Sequence, residues 1–171
     1  GIDSSRIGIG GDSAGSTLSV GVCMMAKDRN HPIKFLFQML PYPFLDARNN
    51  SDSAKKFTDT PMWNSKLSNR IAPMTKVDSS FPSYVYYSPV EAKSFSYLPN
   101  AYIETAEYDC LHDDGILYAN KLKEAKVEVV LNETKGTIHG FDIKQKAKIT
   151  KKAMDSRIEY MKEKFYTKHI I

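Results

Sequence analysis

RIGIGGDSAGSTLSVGVCMMAK (Arg6–Lys27) is the stretch that decides the fold of this 171-residue chain. Arg6-Ile7-Gly8-Ile9-Gly10 reads as a short buried strand, and Ser13 to Lys27 reads as a helix. Within that helix Ala14, Leu18, Val22 and Met25 recur at helical spacing and are expected to face a sheet. Working outward, Asn30-His31-Pro32 breaks the helix, and Ile33 to Leu40 (IKFLFQML) is nearly continuous apolar sequence. Such a run suits a strand covered on both faces. Pro41-Tyr42-Pro43 ends it. Further on come a third strand at Ala101–Thr105 (AYIET) and a helix at Asp113–Lys126 with acidic residues in its first turn, where the helix dipole favours them. A fourth strand at Val127–Leu131 (VEVVL) and a last amphipathic helix at Lys146–Phe165 follow, with Met154, Ile158, Met161 and Phe165 on one face of the helix.

The order strand, helix, strand, insertion, strand, helix, strand, helix places the chain in the α/β class. It predicts a parallel sheet of about four strands in sequential order, with helices on both faces. The insertion, from Asp46 to Leu98, is rich in Ser, Asn, Asp, Pro and Tyr and has no strong strand; Pro61 to Ile71 reads as a short helix within it. A segment that long in a compact domain usually forms a lid or binding element. Catalytic groups in such folds sit beyond the carboxyl ends of the strands.

Hydrophobic residues make up 42% and charged residues 26%, an ordinary globular balance. No apolar run approaches the ~20 residues of a membrane span. The net charge of +4 is dispersed and interleaved with acidic residues, which argues for solvated faces and against a nucleic-acid groove. Cys23 and Cys110 stand far apart in a Lys-rich chain and read as reduced thiols, which suits the cytoplasm. No secretory leader is visible in a sequence that opens almost directly on a strand.

Three motifs fall at strand ends. Gly11-Asp12-Ser13-Ala14-Gly15 matches G-x-S-x-G. A serine on the tight turn from strand to helix projects its hydroxyl above the sheet, and flanking glycines leave room for the backbone. The Ala14 amide, at a helix N-terminus, can face a developing oxyanion. Asp109 ends the stretch AYIETAEYD after the third strand, where an acid can orient an imidazole. Asp113 and Asp114 are close enough to compete, but read as partners of the following helix dipole. His139, in Thr137-Ile138-His139-Gly140-Phe141, follows the last strand and can reach the serine as a general base. His31 in a turn, His112 at a helix start and His169 near the end read as structural.

GGDSAGS, ETAEYDCLHDDG and IHGF together resemble the hormone-sensitive-lipase-like family of α/β-hydrolase esterases, which typically shows GDSAGG, a D-P-L-x-D-E-G-like stretch and H-G-F. The YYSP stretch (Tyr86 to Pro89) also resembles a segment that precedes the acid strand there. Ser16 and Cys110 stand where glycine and proline are common. The resemblance implies a partial α/β-hydrolase fold with a lid or cap insertion. It divides the chain into residues 1–45 with the nucleophile elbow, 46–98 as lid and connection, and 99–171 with the acid and the histidine. It also implies a carboxylic-ester hydrolase with Ser13 as nucleophile, His139 as base and Asp109 as its orienting acid, acting on short-chain, small-molecule esters. Trp63, Met62 and Phe57 are the expected pocket lining. No metal or other cofactor, no nucleic acid and no membrane partner is implied. The family's upstream H-G-G-G-like motif is absent from this sequence, which reads as the family's C-terminal portion. On that reading the Ala14 amide is left as the one identifiable oxyanion donor, so the chain alone is expected to be a poor catalyst, and the first strand becomes an exposed edge, expected to recruit another copy of the chain. A non-catalytic self-associating module, and a peptidase or thioesterase on the same fold, are the alternative readings.

Overall fold

Apolar strands joined by long crossovers cannot pair as hairpins, and here they pair in parallel. The computed structural model describes residues 1–75 and 77–166; His169 lies outside them. β1 (Ile7–Gly10), β2 (Phe35–Pro41), β3 (Asn100–Ala106) and β4 (Val129–Thr134) form one sheet in the order β1-β2-β3-β4, every pairing parallel. β1 forms one edge. The helices are α1 (Ala14–Asp28), α2 (Asp52–Lys56), α3 (Ser65–Thr75), α4 (Tyr84–Tyr87), α5 (His112–Glu124) and α6 (Lys148–Tyr166).

Strand alternation sorts the core into two layers. Leu40, Ala101 and Ile103 pack with Val20, Cys23 and Met24 of α1 and with Tyr118, Ala119 and Leu122 of α5. The alternate positions Phe37 and Tyr102 meet Tyr160, Met161 and Phe165 of α6. The sheet is therefore covered on both faces, which explains why β2 is almost wholly apolar. Its one polar residue, Gln38, is fully buried and satisfied: its amide donates to the Pro99 carbonyl and its oxygen accepts from the Tyr118 hydroxyl.

Several sequence-based expectations need correction. The inward face of α1 is not the Ala14, Leu18, Val22 and Met25 stripe: Leu18 is 72% exposed and Val22 is 43% exposed. The buried stripe is Ser16, Thr17, Ser19, Val20, Gly21, Cys23 and Met24. It uses small residues because its neighbours approach closely; a Cβ on Gly21 would lie 3.1 Å from the Tyr86 carbonyl oxygen. On α6 the buried positions are Thr150, Ala153, Arg157, Tyr160 and Lys164; of the expected face, Met161 and Phe165 pack against the core, while Met154 and Ile158 are 40% and 39% exposed. Two charges lie in that stripe because partners await them: Arg157 meets Glu104 and Asp142, and Lys164 meets Glu128. β4 starts and ends later than its apolar run suggests, since Asn132, Glu133 and Thr134 stay in register with Glu104, Thr105 and Ala106. The helix expected at Pro61–Ile71 lies at Ser65–Thr75 instead, with α2 and α4 as further helical pieces of the insertion.

Candidate active site

Gly11 to Ser13 make the turn between β1 and α1. Ser13 sits at φ 54° and ψ −121°, a sparsely populated conformation for a residue with a Cβ. Surrounding hydrogen bonds hold it there. The Ser13 amide donates to the Pro41 carbonyl (3.0 Å), and the Ser13 carbonyl accepts from the amides of Phe44 (3.1 Å) and Ser16 (3.0 Å). The Ser16 hydroxyl donates back to the Gly11 carbonyl at 2.7 Å, and the Thr17 hydroxyl donates to the Phe44 carbonyl. Ser16, where the family commonly has glycine, thus stitches the turn. The turn is welded to the end of β2.

The two glycines of the motif are not equivalent. A Cβ on Gly11 would lie 2.5 Å from the Gly15 carbonyl oxygen, whereas one on Gly15 would meet nothing closer than 3.8 Å. Gly11→Ala must therefore displace the turn, and a shift of about 1 Å in a reacting group costs roughly 100-fold in rate. Gly15→Ala is expected to stay within about threefold of the parent. The rate of Ser13 modification by a fluorophosphonate, measured on both variants, checks the contrast.

The other two elements reach the same point. His139 follows β4 and precedes the 3-10 turn Phe141–Ile143; its Nε2 lies 2.9 Å from the Ser13 Oγ. Its Nδ1 lies 2.7 Å from Asp109 Oδ2, and Asp109, fully buried after β3, also accepts from the Leu111 amide through Oδ1 (3.0 Å). Nδ1 carries the proton, since a carboxylate offers it only acceptors. The competing carboxylates are engaged elsewhere. Asp113 accepts from the Ser53 amide and contacts His112, and Asp114 accepts from the amides of Leu45 (3.2 Å) and Asp46 (3.1 Å). His31 accepts from the Ile33 amide at an exposed turn. The Ala14 amide, first in its helix, has no intrahelical acceptor.

Asp114 does more than face a helix dipole. It is buried and anchors the segment that carries Phe44 to Ala47 past the Ser13 turn. Burial pushes its carboxyl well above the ordinary carboxylate range, with Asp46 and Asp109 adding to the rise. The folded chain therefore favours the neutral acid, while the unfolded chain ionises in the ordinary range. The fold loses stability as pH rises from that range toward the raised value. Asp114→Asn keeps a carbonyl oxygen for both amides and cannot ionise, so its stability relative to the parent improves over the same rise. Asp114→Leu leaves two buried amides without an acceptor, at about 1–3 kcal/mol each. Urea unfolding of the three chains at about pH 4 and about pH 8 checks both expectations.

A cavity of about 350 Å³ opens beside Ser13. Thr17, Leu18, Phe44, Trp63, Ile71 and Tyr87 line much of it, and none of its lining residues carries a formal charge at neutral pH. Of the expected lining residues, only Trp63 is present; its ring also lies 6.3 Å from that of His139. Met62 is 56% exposed and lies near Gly140, and Phe57 packs edge-on against Tyr108; neither lines this cavity. Leu18, Phe44, Ile71 and Tyr87 escaped the sequence reading. For Leu18 a signal existed: it stands five residues after Ser13, on the same flank of α1 as Ala14 and Thr17.

Neither cysteine has the environment of a reactive thiol. Cys23 and Cys110 are free and buried, and burial pushes both thiols up to about 12. Among the described residues no helix is long and apolar enough to cross a membrane.

Comparison with known proteins points the same way. A family model described as alpha/beta hydrolase fold matches residues 1–143. The esterase LipI of Mycobacterium tuberculosis is 33% identical over 146 residues, covering 82% of this chain and 44% of LipI. The carboxylesterase NlhH of the same species is 33% identical over 143 residues, covering 81% and 44%. Among solved structures, a bacterial heroin esterase superposes with a TM-score of 0.90 at 31% identity, covering 98% of this chain and 54% of that one. The chain spans less than half the length of these curated relatives.

Proposed function

The chain belongs to the alpha/beta hydrolase fold family, and from that premise we propose that it hydrolyses short-chain carboxylic esters through an acyl-serine intermediate. The observation that carries this reading is the unbroken line Ser13 Oγ, His139, Asp109, at 2.9 and 2.7 Å, beginning at a serine with positive φ. In the proposed mechanism Ser13 Oγ attacks the ester carbonyl carbon and its proton passes to His139 Nε2. The Ala14 amide donates to the oxyanion. The tetrahedral intermediate collapses, the carbon–oxygen bond to the alcohol breaks, and His139 returns the proton to the departing oxygen. Water then attacks the acyl-serine with His139 again as base, releasing the acid and restoring the Ser13 hydroxyl. Asp109 holds the Nδ1–H throughout.

The uncharged cavity suits a small apolar acyl group, and Trp63 serves as part of its wall. In the same proposal residues 1–45 and 99–171 supply the catalytic groups and 46–98 the lid and pocket wall. LipI and NlhH are named an esterase and a carboxylesterase, which supports the ester over the amide or thioester. The two buried, free cysteines support a cytoplasmic location. The test is a panel of p-nitrophenyl esters from acetate to decanoate beside an anilide and a thioester of matched acyl group. Turnover is expected to be highest for the short esters and lost in Ser13→Ala; preferred cleavage of the anilide or thioester would contradict the proposal.

A further inference from the structure

Two in-plane hydrogen bonds hold the His139 ring, one at each nitrogen. They fix its place between Asp109 and Ser13 but leave it free to rock about the line joining them. Rocking swings the Nδ1–H and the Nε2 lone pair that accepts from Ser13 out of alignment, and hydrogen bonds weaken steeply as alignment is lost. A ring contact from the side is what can stop it. Tyr42 makes that contact: its ring meets His139 in a T-shaped arrangement with centroids 4.9 Å apart. Trp63 also approaches, but at 6.3 Å and tilted.

Tyr42 is itself held unusually well. It lies just after β2, buried, at φ 35°. Its amide donates to the Glu104 carbonyl at 2.6 Å. Its hydroxyl donates to Asp142 Oδ1 at 2.8 Å, with Asp12 Oδ2 farther off at 3.4 Å. Asp142 in turn accepts from Arg157 at 2.8 Å, and Arg157 donates to the fully buried Glu104. Burial and the Asp142 hydrogen bond both push the Tyr42 phenol far above its ordinary range, so it remains a donor. Asp142 stands three residues after His139. The anchor of the ring thus ties the histidine loop to β2, β3 and α6.

We propose that Tyr42 is a positioning residue that fixes the tilt of the His139 ring, with Asp142 and Arg157 as its anchor. The catalytic part of this inference rests on the proposed esterase reading; the geometric part does not. Hydrophobic filling alone would account for a side chain packed on Ala106 and Phe141. It would not require the hydroxyl to be clamped, nor would it touch the order of the imidazole.

The experiment compares the parent chain with Tyr42→Leu and Tyr42→Phe by three readouts. Proton NMR follows exchange with water of the His139 Nδ1–H resonance; steady-state kinetics give kcat and KM for p-nitrophenyl acetate; melting gives stability. Tyr42→Leu should speed Nδ1–H exchange about tenfold and lower kcat by roughly 10- to 100-fold, with KM within about twofold. Tyr42→Phe keeps the ring but loses the clamp, and should fall between the parent and Tyr42→Leu in both measures. A Tyr42→Leu chain that melts earlier yet keeps the parent's exchange rate and kcat would overturn the proposal. Should Tyr42→Leu fail to fold, unchanged exchange and kcat in Tyr42→Phe would overturn it. If the parent shows no turnover while the exchange contrast holds, the esterase reading falls and the positioning role stands.

Discussion

Asp109→Asn is expected to lower ester turnover by about 10,000-fold while leaving the fold intact. The amide that replaces the carboxylate can still accept from the Leu111 amide through its oxygen, so the local backbone has no reason to move. Its nitrogen, however, would face His139 Nδ1 as a donor. That reverses the tautomer: Nδ1 becomes the acceptor, and the proton moves to Nε2, 2.9 Å from Ser13 Oγ. A nitrogen that already carries a proton cannot take one from the serine. The variant also loses the negative charge that stabilises the imidazolium formed in the transition state. Steady-state hydrolysis of p-nitrophenyl acetate by the parent and the variant, with circular dichroism on both, checks this. A loss of less than about tenfold in a folded variant would show that Asp109 does not orient the histidine.

The second large effect is on stability. Arg157→Met is expected to cost about 3–5 kcal/mol, because it leaves a buried carboxylate without its cation. Glu104 is wholly inaccessible, and the Arg157 side chain is only 10% exposed, so solvent screening offers little relief. Glu104 would keep the Tyr102 hydroxyl and the Asn132 amide as donors, which places the cost short of an isolated buried charge. Asp142 would lose its 2.8 Å partner at the same time. Combining Arg157→Met with Glu104→Gln removes the stranded charge and should recover a large part of the loss. Urea denaturation of both single variants and the double variant measures the coupling.

These two predictions concern parts of the molecule that differ in how far the sequence reveals them. The elbow around Ser13 is a local pattern: an apolar strand, a short motif and a helix start lie within a few residues, so their order in the chain is enough. The same holds for the placement of Asp109 and His139 after β3 and β4. The faces of α1 and α6 were not legible. Periodicity counts apolar residues, but α1 turns Ser16, Ser19 and Gly21 inward and sends Leu18 toward the cavity. On α6 the positions that matter are Arg157 and Lys164, and their partners lie 53 and 36 residues earlier on other elements. The insertion hid its roles for a related reason. Trp63, Met62 and Phe57 look alike as apolar residues in a polar segment, and only the packing of that segment over Ser13 separates the one that lines the cavity from the two that do not. The positioning role of Tyr42 was equally invisible, since its clamp, Asp142, lies 100 residues away.

The central claim is that Ser13 is a nucleophile activated by His139, and one measurement addresses it most directly. The chain is incubated with a fluorophosphonate, digested, and the modified peptide identified by mass spectrometry, beside Ser13→Ala and His139→Ala. The expected result is a single adduct on Ser13, absent from Ser13→Ala and formed at least about 1000-fold more slowly in His139→Ala. An adduct on another residue that persists in Ser13→Ala, or labelling of Ser13 at an equal rate without His139, would contradict it.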